Sequence, residues 1–238
     1  MKKIINLLVA MCLLLTLSVT NELLEDSYWG YNSSKVEAAK VDGRITGTTF
    51  QIEFNKKQYT ITNLHICRIP NMIEKERRDD YNFAQIVKGE KPSAFPPLKD
   101  TDLIGQKIQV GEQNRKILKV DEEHDLCILE GNINLVPFDL SSSYEVGESI
   151  RVIGYPRGLG KIIHKGRIFS KEKGYFPWLK RTTEYLYANV IGYPGNSGSP
   201  VLNKYGRVIG VVFAGDQHHT EMMIVPLEYL KDFLNKNI

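Results

Sequence analysis

The stretch Arg44-Ile-Thr-Gly-Thr-Thr-Phe-Gln-Ile-Glu-Phe54 decides the fold, because β-branched and aromatic residues recur along it with polar residues between them. This alternation is typical of a β-strand with one buried face. The turn-forming segment Asn55-Lys-Lys-Gln58 follows, and Tyr59-Thr-Ile-Thr62 resumes the strand pattern. The three segments together predict a β-hairpin.

Short segments of the same kind, separated by turn residues, continue through the rest of the chain. No long helical segment lies between them, so the pattern favours an all-β protein, either barrels or a sandwich, over a doubly wound sheet. Further strands are predicted at Lys107–Val110, Lys116–Val120, Leu126–Leu129, Ser149–Tyr155, Lys161–Ser170, Leu186–Val190, Val201–Asn203, Val208–Phe213 and Met222–Val225.

One helix is predicted at the end of the chain, immediately after Pro226. Its apolar residues recur at helical spacing and so share one face. We expect this helix to pack against the sheets and to carry no chemistry. The residues of the apolar face are Leu227, Leu230, Phe233 and Leu234.

The segment from Arg68 to Asp100 differs in kind from the strands around it. It holds a charged run at residues 74–80 and a Pro-rich end at residues 91–97. A charged run usually marks a solvated face, whereas a long loop in a compact domain can also control substrate access. We expect this segment to be a surface insertion, either a solvated face without further function or a loop that controls substrate access.

The composition excludes several classes of protein. The 238 residues are 42% hydrophobic and 25% charged, which is typical of a globular protein and not of a disordered, collagen-like or multi-span membrane protein. Lys and Arg total 31 against 28 Asp and Glu, a formal charge of only +3. Since no basic stripe is present, we expect no nucleic-acid partner.

The N-terminus indicates export. Lys2 and Lys3 precede an apolar run at residues 4–19 that is shorter than the roughly 20 residues a membrane-spanning helix needs. We expect residues 1–20 to be a cleaved signal peptide, which would make the protein secreted, periplasmic or attached to the cell surface. The alternative is an uncleaved anchor through residues 4–19, and we expect membrane contact only in that case.

Cys67 and Cys127 are expected to be small buried apolar residues, because free cysteine is among the most buried residue types. A disulfide between them is the alternative, since export allows one to persist. Neither cysteine has a second ligand at CxxC spacing, so we expect no metal site.

The sharpest local motif is Gly195-Asn-Ser-Gly-Ser-Pro200, followed by an apolar strand. A serine between glycines can lie in a tight turn whose backbone N–H groups converge on one point. In acyl transfer, the N–H groups of Gly195 and Ser197 would bind the oxygen that becomes negative when Ser197 attacks a carbonyl. Alone, the motif is equally compatible with a surface turn.

A serine nucleophile needs a base, and the base needs an acid that orients it. Among the five histidines, His65 stands at the end of a predicted strand in apolar surroundings, whereas His124 lies in a charged turn and is expected to be solvated. Asp125 leads directly into the apolar strand at residues 126–129, so its carboxylate needs a hydrogen-bonding partner. Each residue could also have a purely structural role.

Taken together, Thr62-Asn-Leu-His65, Asp125-Leu-Cys-Ile-Leu129 and the Ser197 motif resemble the trypsin-like, chymotrypsin-fold serine peptidases. Residues 136–160 are similar to the opening of the second barrel in the HtrA/Deg branch. The Ser197 motif is also similar to that of the bacterial glutamyl endopeptidases. The resemblance covers about residues 43 to 238, apart from the insertion.

The resemblance implies two six-stranded antiparallel β-barrels with a C-terminal helix, and a peptidase domain at residues 28–238. The first barrel would span about residues 36–132, including the insertion at 68–100, and the second about residues 133–238. No PDZ domain is expected after Ile238. The oligomeric state is left open.

The resemblance also implies a serine endopeptidase that hydrolyses protein or peptide substrates through His65, Asp125 and Ser197. The reaction would pass through an acyl-enzyme and would need no cofactor. Phe213, Ala214 and Gly215 would form the edge strand that pairs with the substrate backbone.

The pocket floor is expected near Ile191, which carries no carboxylate, so the resemblance favours a small or apolar substrate side chain over Lys or Arg. Val212 and Gly192 stand where the glutamyl enzymes have His and Thr, which argues against Glu.

Other functions would make different use of the same residues. The main alternative is a catalytically inactive binding module of protease fold. An α/β-hydrolase esterase would need its acid and base after Ser197 and would need more helices. A sandwich-type adhesin, in which Ser197 is incidental, would tolerate mutation of His65.

Overall fold

The structure is a computed structural model that describes residues 25, 27–29, 31–41, 43–70, 72, 85, 100–176, 181–215 and 220–238. The predicted signal peptide at residues 1–20, the charged run at 74–80 and the Pro-rich segment at 91–97 lie outside these residues. The chain divides into two compact units, Met1–Ser34 and Lys35–Ile238.

In the smaller unit, the described residues between 25 and 33 are helical. The side-chain amide of Asn32 donates a hydrogen bond to the carbonyl of Tyr28, one turn earlier, at 3.1 Å. The rings of Tyr28 and Trp29 meet edge to face, with 5.1 Å between their centroids.

The larger unit begins with a closed six-stranded antiparallel barrel. Its strand order is β1-β2-β3-β6-β5-β4, and pairing of Ala39 with Val110 closes β1 onto β4. Strand β1 was not predicted, whereas the hairpin of β2 and β3 was. The strands are β1 (Val36–Val41), β2 (Arg44–Phe54), β3 (Lys57–Asn63), β4 (Lys107–Val110), β5 (Gln113–Asp121) and β6 (Leu126–Glu130).

The hairpin turn between β2 and β3 explains why these two strands pair. Asn55 and Lys56 form a two-residue connection with φ of 51° and 61°. A hairpin turn with positive φ at both central residues matches the right-handed twist of the strands it joins, and Asn tolerates this conformation better than most residues.

The interior of the first barrel is apolar and contains a disulfide bond. Cys67 and Cys127 are both buried and are bonded to each other across a sequence separation of 60. The expectation of two unpaired thiols is therefore wrong, although their burial was predicted correctly. The surrounding core consists of Leu64, Leu103, Ile108, Val110, Ile117 and Leu129.

Six further antiparallel strands form a second sheet in the order β10-β11-β12-β9-β8-β7, and β7 pairs again with β10. A second apolar core, which includes Ile150, Val152, Leu186 and Ile224, lies inside this sheet. The strands are β7 (Ser149–Gly154), β8 (Ile162–Phe176), β9 (Arg181–Ala188), β10 (Pro200–Leu202), β11 (Val208–Gly215) and β12 (Met222–Pro226).

The predicted C-terminal helix is present at Leu227–Asn237. All four residues of its predicted apolar face are buried. Lys171 on β8 bonds to Glu228 in the first turn at 2.8 Å, which fixes the helix on the second sheet. Among the described residues, no helix has the length and apolar content needed to cross a membrane.

Candidate active site

The end of β3 and the start of β6 bring His65 and Asp125 together. Asn63 and Leu126 are directly paired across these antiparallel strands, so the residues just beyond them are neighbours in space. His65 Nδ1 lies 2.6 Å from Asp125 Oδ2, and the His65 backbone N–H donates to Asp125 Oδ1 at 2.8 Å. One histidine therefore occupies both oxygens of the carboxylate.

Asp125 is held as firmly through its backbone as through its side chain. Its carbonyl accepts hydrogen bonds from the Leu64 N–H at 3.0 Å and from the Asn63 side-chain amide at 3.1 Å. Its φ is +56°, a conformation that Asp tolerates better than most residues, and it is 1% exposed. Because an ionised carboxylate only accepts, the His65 proton belongs on Nδ1, which leaves Nε2 as an acceptor.

Ser197 lies in the loop between β9 and β10, between two glycines that both require positive φ. Gly195 has φ of +95° and Gly198 of +83°. A Cβ at Gly198 would collide with the Thr48 carbonyl and the Thr62 side chain of the first barrel, so only glycine fits there. The Ser197 hydroxyl donates to the carbonyl of Phe213 at 3.3 Å.

Contacts from both sheets fix the Ser197 turn. On the first-barrel side, the Thr48 N–H donates to the Ser197 carbonyl at 2.8 Å, and the Thr48 hydroxyl donates to the Gly195 carbonyl at 2.7 Å. On the second-sheet side, the Gly198 N–H donates to the Val212 carbonyl at 2.9 Å. The sequence analysis missed Thr48, because a threonine in a strand carries no catalytic signal of its own.

The backbone N–H groups of Gly195 and Ser197 differ from those of the neighbouring residues in their hydrogen bonding. The N–H groups of Asn196, Gly198 and Ser199 all donate to backbone carbonyls. Within the described part of the chain, those of Gly195 and Ser197 have no acceptor. Two unused donors on either side of Asn196 could bind an oxygen placed next to the Ser197 hydroxyl.

His65, Asp125 and Ser197 all line one cleft of about 490 Å³. The structure thus brings together the three side chains that the sequence predicted for catalysis. The remaining lining is mostly apolar or backbone: Arg68, Met72, Gly192, Tyr193, Pro194, Asn196, Val212, Phe213, Ala214 and Gly215.

Three of the four predicted substrate-binding residues, Phe213, Ala214 and Gly215, lie in this cleft. Ile191 does not: it is 49% exposed and its neighbour Gly192 lines the cleft instead. The expectation that the pocket floor lies near Ile191 stays a prediction.

The ring of Phe213 also packs against His65. Its ring meets the His65 ring edge to face with 6.2 Å between centroids, and it stacks on Tyr185 with 4.8 Å between centroids. Aromatic pairs in these arrangements add to the energy of burial alone. The Phe213 ring therefore limits how far the His65 imidazole can rotate.

His124 is not the solvated residue that the sequence suggested. Its Nδ1 lies 2.9 Å from Asp121 Oδ2, and its ring stacks on Tyr229 of the C-terminal helix with 4.0 Å between centroids. Burial alone would raise the pKa of Asp121, but hydrogen bonds from His124 outweigh burial and lower it. Within the described residues, no cluster of three His, Cys, Asp or Glu side chains could hold a metal ion.

Comparison with known proteins agrees with this geometry. Residues 47–211 match the family model of the trypsin-like peptidase domain. The inactive form of the Rv3671c protease is similar with a TM-score of 0.62 at 17% identity, over 90% of this chain and 94% of that one. The Rv3671c protease is from M. tuberculosis.

Two further solved structures have the same fold. A serine endoprotease from Yersinia pestis gives a TM-score of 0.56 at 18% identity, covering 87% of this chain and 66% of that one. The HtrA-type protease AlgW, solved with a decapeptide, gives 0.57 at 16% identity, covering 81% of this chain and 50% of that one. The prediction of an all-β, chymotrypsin-like fold with a C-terminal helix is confirmed.

Proposed function

Because the chain belongs to the trypsin-like peptidase family, we propose that it is an exported serine endopeptidase that works through His65, Asp125 and Ser197. The observation that carries the proposal is the shared cleft, in which a base with a fixed tautomer and a serine hydroxyl face the same space. Export rests on the charged and apolar pattern of residues 1–20 alone. In this proposal the second sheet is the second barrel of the fold.

In the first step, the Ser197 hydroxyl attacks the carbonyl carbon of the scissile peptide bond while Nε2 of His65 takes its proton. The bond between carbon and nitrogen then breaks, and the imidazolium gives its proton to the leaving amine. The product is an ester between Ser197 and the acyl half of the substrate. The carboxylate of Asp125 stabilises the imidazolium while this happens.

In the second step, water attacks the ester and His65 again accepts a proton, which it then returns to Ser197 as the acid product leaves. In both steps a negative charge develops on the carbonyl oxygen. The N–H groups of Gly195 and Ser197 would bind this oxygen, because neither donates to a carbonyl within the described part of the chain. Loss of one such donor typically lowers kcat about 100- to 1,000-fold.

Substrate backbone would pair with the end of β11. Strand β10 pairs with β11 only as far as Val211, so Phe213, Ala214 and Gly215 continue past their neighbour into the cleft. An extended peptide can add there as a further strand, through backbone hydrogen bonds that are independent of sequence. Such pairing would place the scissile bond beside Ser197.

The substrate side chain next to the scissile bond should be small and apolar. Gly192 and Gly215 touch: a Cβ on Gly192 would lie 2.7 Å from the Gly215 Cα, and a Cβ on Gly215 would lie 2.6 Å from the Gly192 carbonyl oxygen. This backbone contact closes the recess beside Ser197 to long side chains. No carboxylate other than that of Asp125 lines the described cleft. No other acidic group there would therefore pair with the positive charge of a buried Lys or Arg of the substrate.

A peptide-library cleavage profile of the wild type beside Ser197→Ala tests the proposal. We expect cleavage after Ala or Val, at least about 10-fold weaker cleavage after Phe or Lys, and none with Ser197→Ala. A library that is bound but not cleaved by the wild type would support the inactive binding module instead. Cleavage that persists in Ser197→Ala would contradict the assignment of the nucleophile.

A further inference from the structure

A short turn at Pro156–Gly158 lies directly against the Ser197 turn. Its central residue, Arg157, has φ of 54° and ψ of 16°, which is the left-handed region. That conformation costs energy in a residue with a side chain, and such residues cluster where function needs a fixed backbone. Three other non-glycine residues in the described chain share it: Asn55, Lys56 and Asp125.

The backbone N–H of Arg157 sets the direction of one peptide group in the Ser197 turn. It donates to the carbonyl of Pro194 at 2.6 Å. The C=O and N–H of a trans peptide point in opposite directions, and the described residues contain no cis peptide bond. Because the Pro194 carbonyl points at Arg157, the N–H of Gly195 points away from Arg157.

The position of Gly195 fits the same orientation. A Cβ on Gly195 would collide with the carbonyl of Tyr155 and would lie 3.2 Å from the Arg157 nitrogen. The two turns therefore pack backbone against backbone on this side. Asn196 and Ser197, which follow Gly195 in the chain, line the cleft.

The side chain of Arg157 adds a second link. Its guanidinium carbon lies 4.0 Å from the centroid of the Tyr193 ring. Tyr193 begins the Ser197 turn, and its carbonyl accepts a hydrogen bond from the Asn196 N–H at 3.1 Å. A cation over an aromatic ring at an exposed site changes an equilibrium about 2- to 5-fold.

We propose that Arg157 is a positioning residue that holds the Gly195 N–H in the orientation required to bind the oxyanion. Its backbone N–H fixes the Pro194–Gly195 peptide, and its guanidinium holds Tyr193 so that the two turns stay together. Arg157 itself does not touch the substrate. This inference rests on the proposed peptidase function.

The first test is Arg157→Ala, which removes the guanidinium and keeps the N–H. We expect kcat to fall about 2- to 5-fold with KM unchanged. Tyr193→Ala removes the other half of the contact, and the double variant should lose less than the product of the two single losses. Arg207→Ala is the matched control, because that exposed arginine lines a separate recess with no residue in common with the cleft.

A main-chain ester isolates the backbone bond. Lactic acid incorporated at position 157 has the same side chain as Arg157→Ala and carries an ester oxygen in place of the N–H. The ester also weakens the Pro156 carbonyl, which accepts a hydrogen bond from the Leu159 N–H. We expect a further fall in kcat of about 10-fold or more, up to the roughly 1,000-fold loss of a whole oxyanion donor.

The affinities for a peptide aldehyde and for an intact peptide distinguish a positioning role of Arg157 from direct contact with the substrate. A peptide aldehyde forms a tetrahedral adduct with Ser197 whose oxygen needs the Gly195 N–H, whereas an intact peptide bound to the Ser197→Ala variant does not. We expect the aldehyde affinity to fall by the same factor as kcat, with the intact-peptide affinity unchanged.

Each other outcome overturns the inference. An equal loss of intact-peptide affinity would mean that Arg157 contacts substrate. A fall in melting temperature with unchanged kcat and aldehyde affinity would mean that it only stabilises the fold. If the wild type itself neither cleaves peptide nor reacts with the aldehyde, then the proposed function fails, and not this inference alone.

Discussion

The site has two halves that are built in opposite ways. His65 and Asp125 form the strand-built half, and Ser197 with its turn forms the loop-built half. His65 and Asp125 stand beside the paired ends of β3 and β6, and hydrogen bonds from three consecutive residues, 63–65, hold Asp125. Ser197 lies in a loop with two glycines of positive φ. A disulfide joins Cys67 and Cys127, which lie two residues after His65 and Asp125 respectively.

In the proposed mechanism, the difference follows from what each half would do. Transfer of a proton needs a fixed distance between two side chains, and adjacent strands supply this through register. Binding an oxyanion needs backbone N–H groups that regular structure would use internally, so they can come only from a loop. The loop must then be held from outside, which Thr48 and the Pro156–Gly158 turn do.

The sharpest way to break the strand-built half is Asp125→Asn, which keeps the shape and removes the charge. We expect kcat to fall about 10,000-fold, because an amide at this position favours the wrong His65 tautomer. Steady-state kinetics on a fluorogenic peptide would measure this. Asp121→Asn is the control, since it removes a carboxylate four residues away that does not line the cleft. If Asp125→Asn kept a tenth of the wild-type kcat, the proposed role of Asp125 in orienting His65 would be refuted.

The loop-built half should break when a methyl group is added. Gly198→Ala would push the Ser197 turn off Thr48 and Thr62, and we expect kcat to fall about 100-fold or more because a displacement near 1 Å can cost that much. Gly147→Ala is the matched control, since its φ of +95° imposes the same backbone cost while nothing lies within 4 Å of the added methyl. Equal kcat losses in the two variants would show that strain, and not position, matters.

The disulfide tests whether the strand-built half needs a covalent link. Cys67→Ala combined with Cys127→Ala should lower the free energy of unfolding by about 2 to 4 kcal/mol, as measured by urea denaturation. We expect kcat of the folded variant to stay close to that of the wild type, because the hydrogen bonds from residues 63–65 remain. A loss of kcat as large as that of Gly198→Ala would contradict the distinction between the two halves.

The smallest expected effect is a pH dependence of stability at the turn before Asp125. The pKa of Asp121 is raised by burial but lowered on balance by hydrogen bonds from His124 and Glu123, so the folded value lies below the unfolded one. Its contribution is therefore present above about pH 4 and is lost as the pH falls through the lower folded value. Urea midpoints between pH 2 and 5 should show this slope, and Asp121→Asn should flatten it.

The three residues proposed for catalysis could be picked out from the sequence because each has a short local signature. His65 and Asp125 stand where apolar strands meet polar residues, and Ser197 stands between glycines. Their pairing in space follows from β3 and β6, whose strand patterns are also local. The C-terminal helix was found from its apolar spacing for the same reason.

The features that the sequence did not reveal depend on contacts between distant segments. Strand β1 carries two alanines and two charged residues in six positions, so its propensity is weak and its pairing with β2 decides its structure. The disulfide depends on a Cα–Cα separation of 6.7 Å between residues that are 60 positions apart. The role proposed for Arg157 depends on its positive φ, which cannot be predicted from the residue type.

The most direct test of the whole account is covalent labelling with a fluorophosphonate, followed by mass spectrometry of the digested protein. We expect one adduct, on Ser197, that forms rapidly in the wild type, slows greatly in Asp125→Asn and is absent from Ser197→Ala. Labelling of another residue, or an equal rate in wild type and Asp125→Asn, would contradict the claim that these three residues act together.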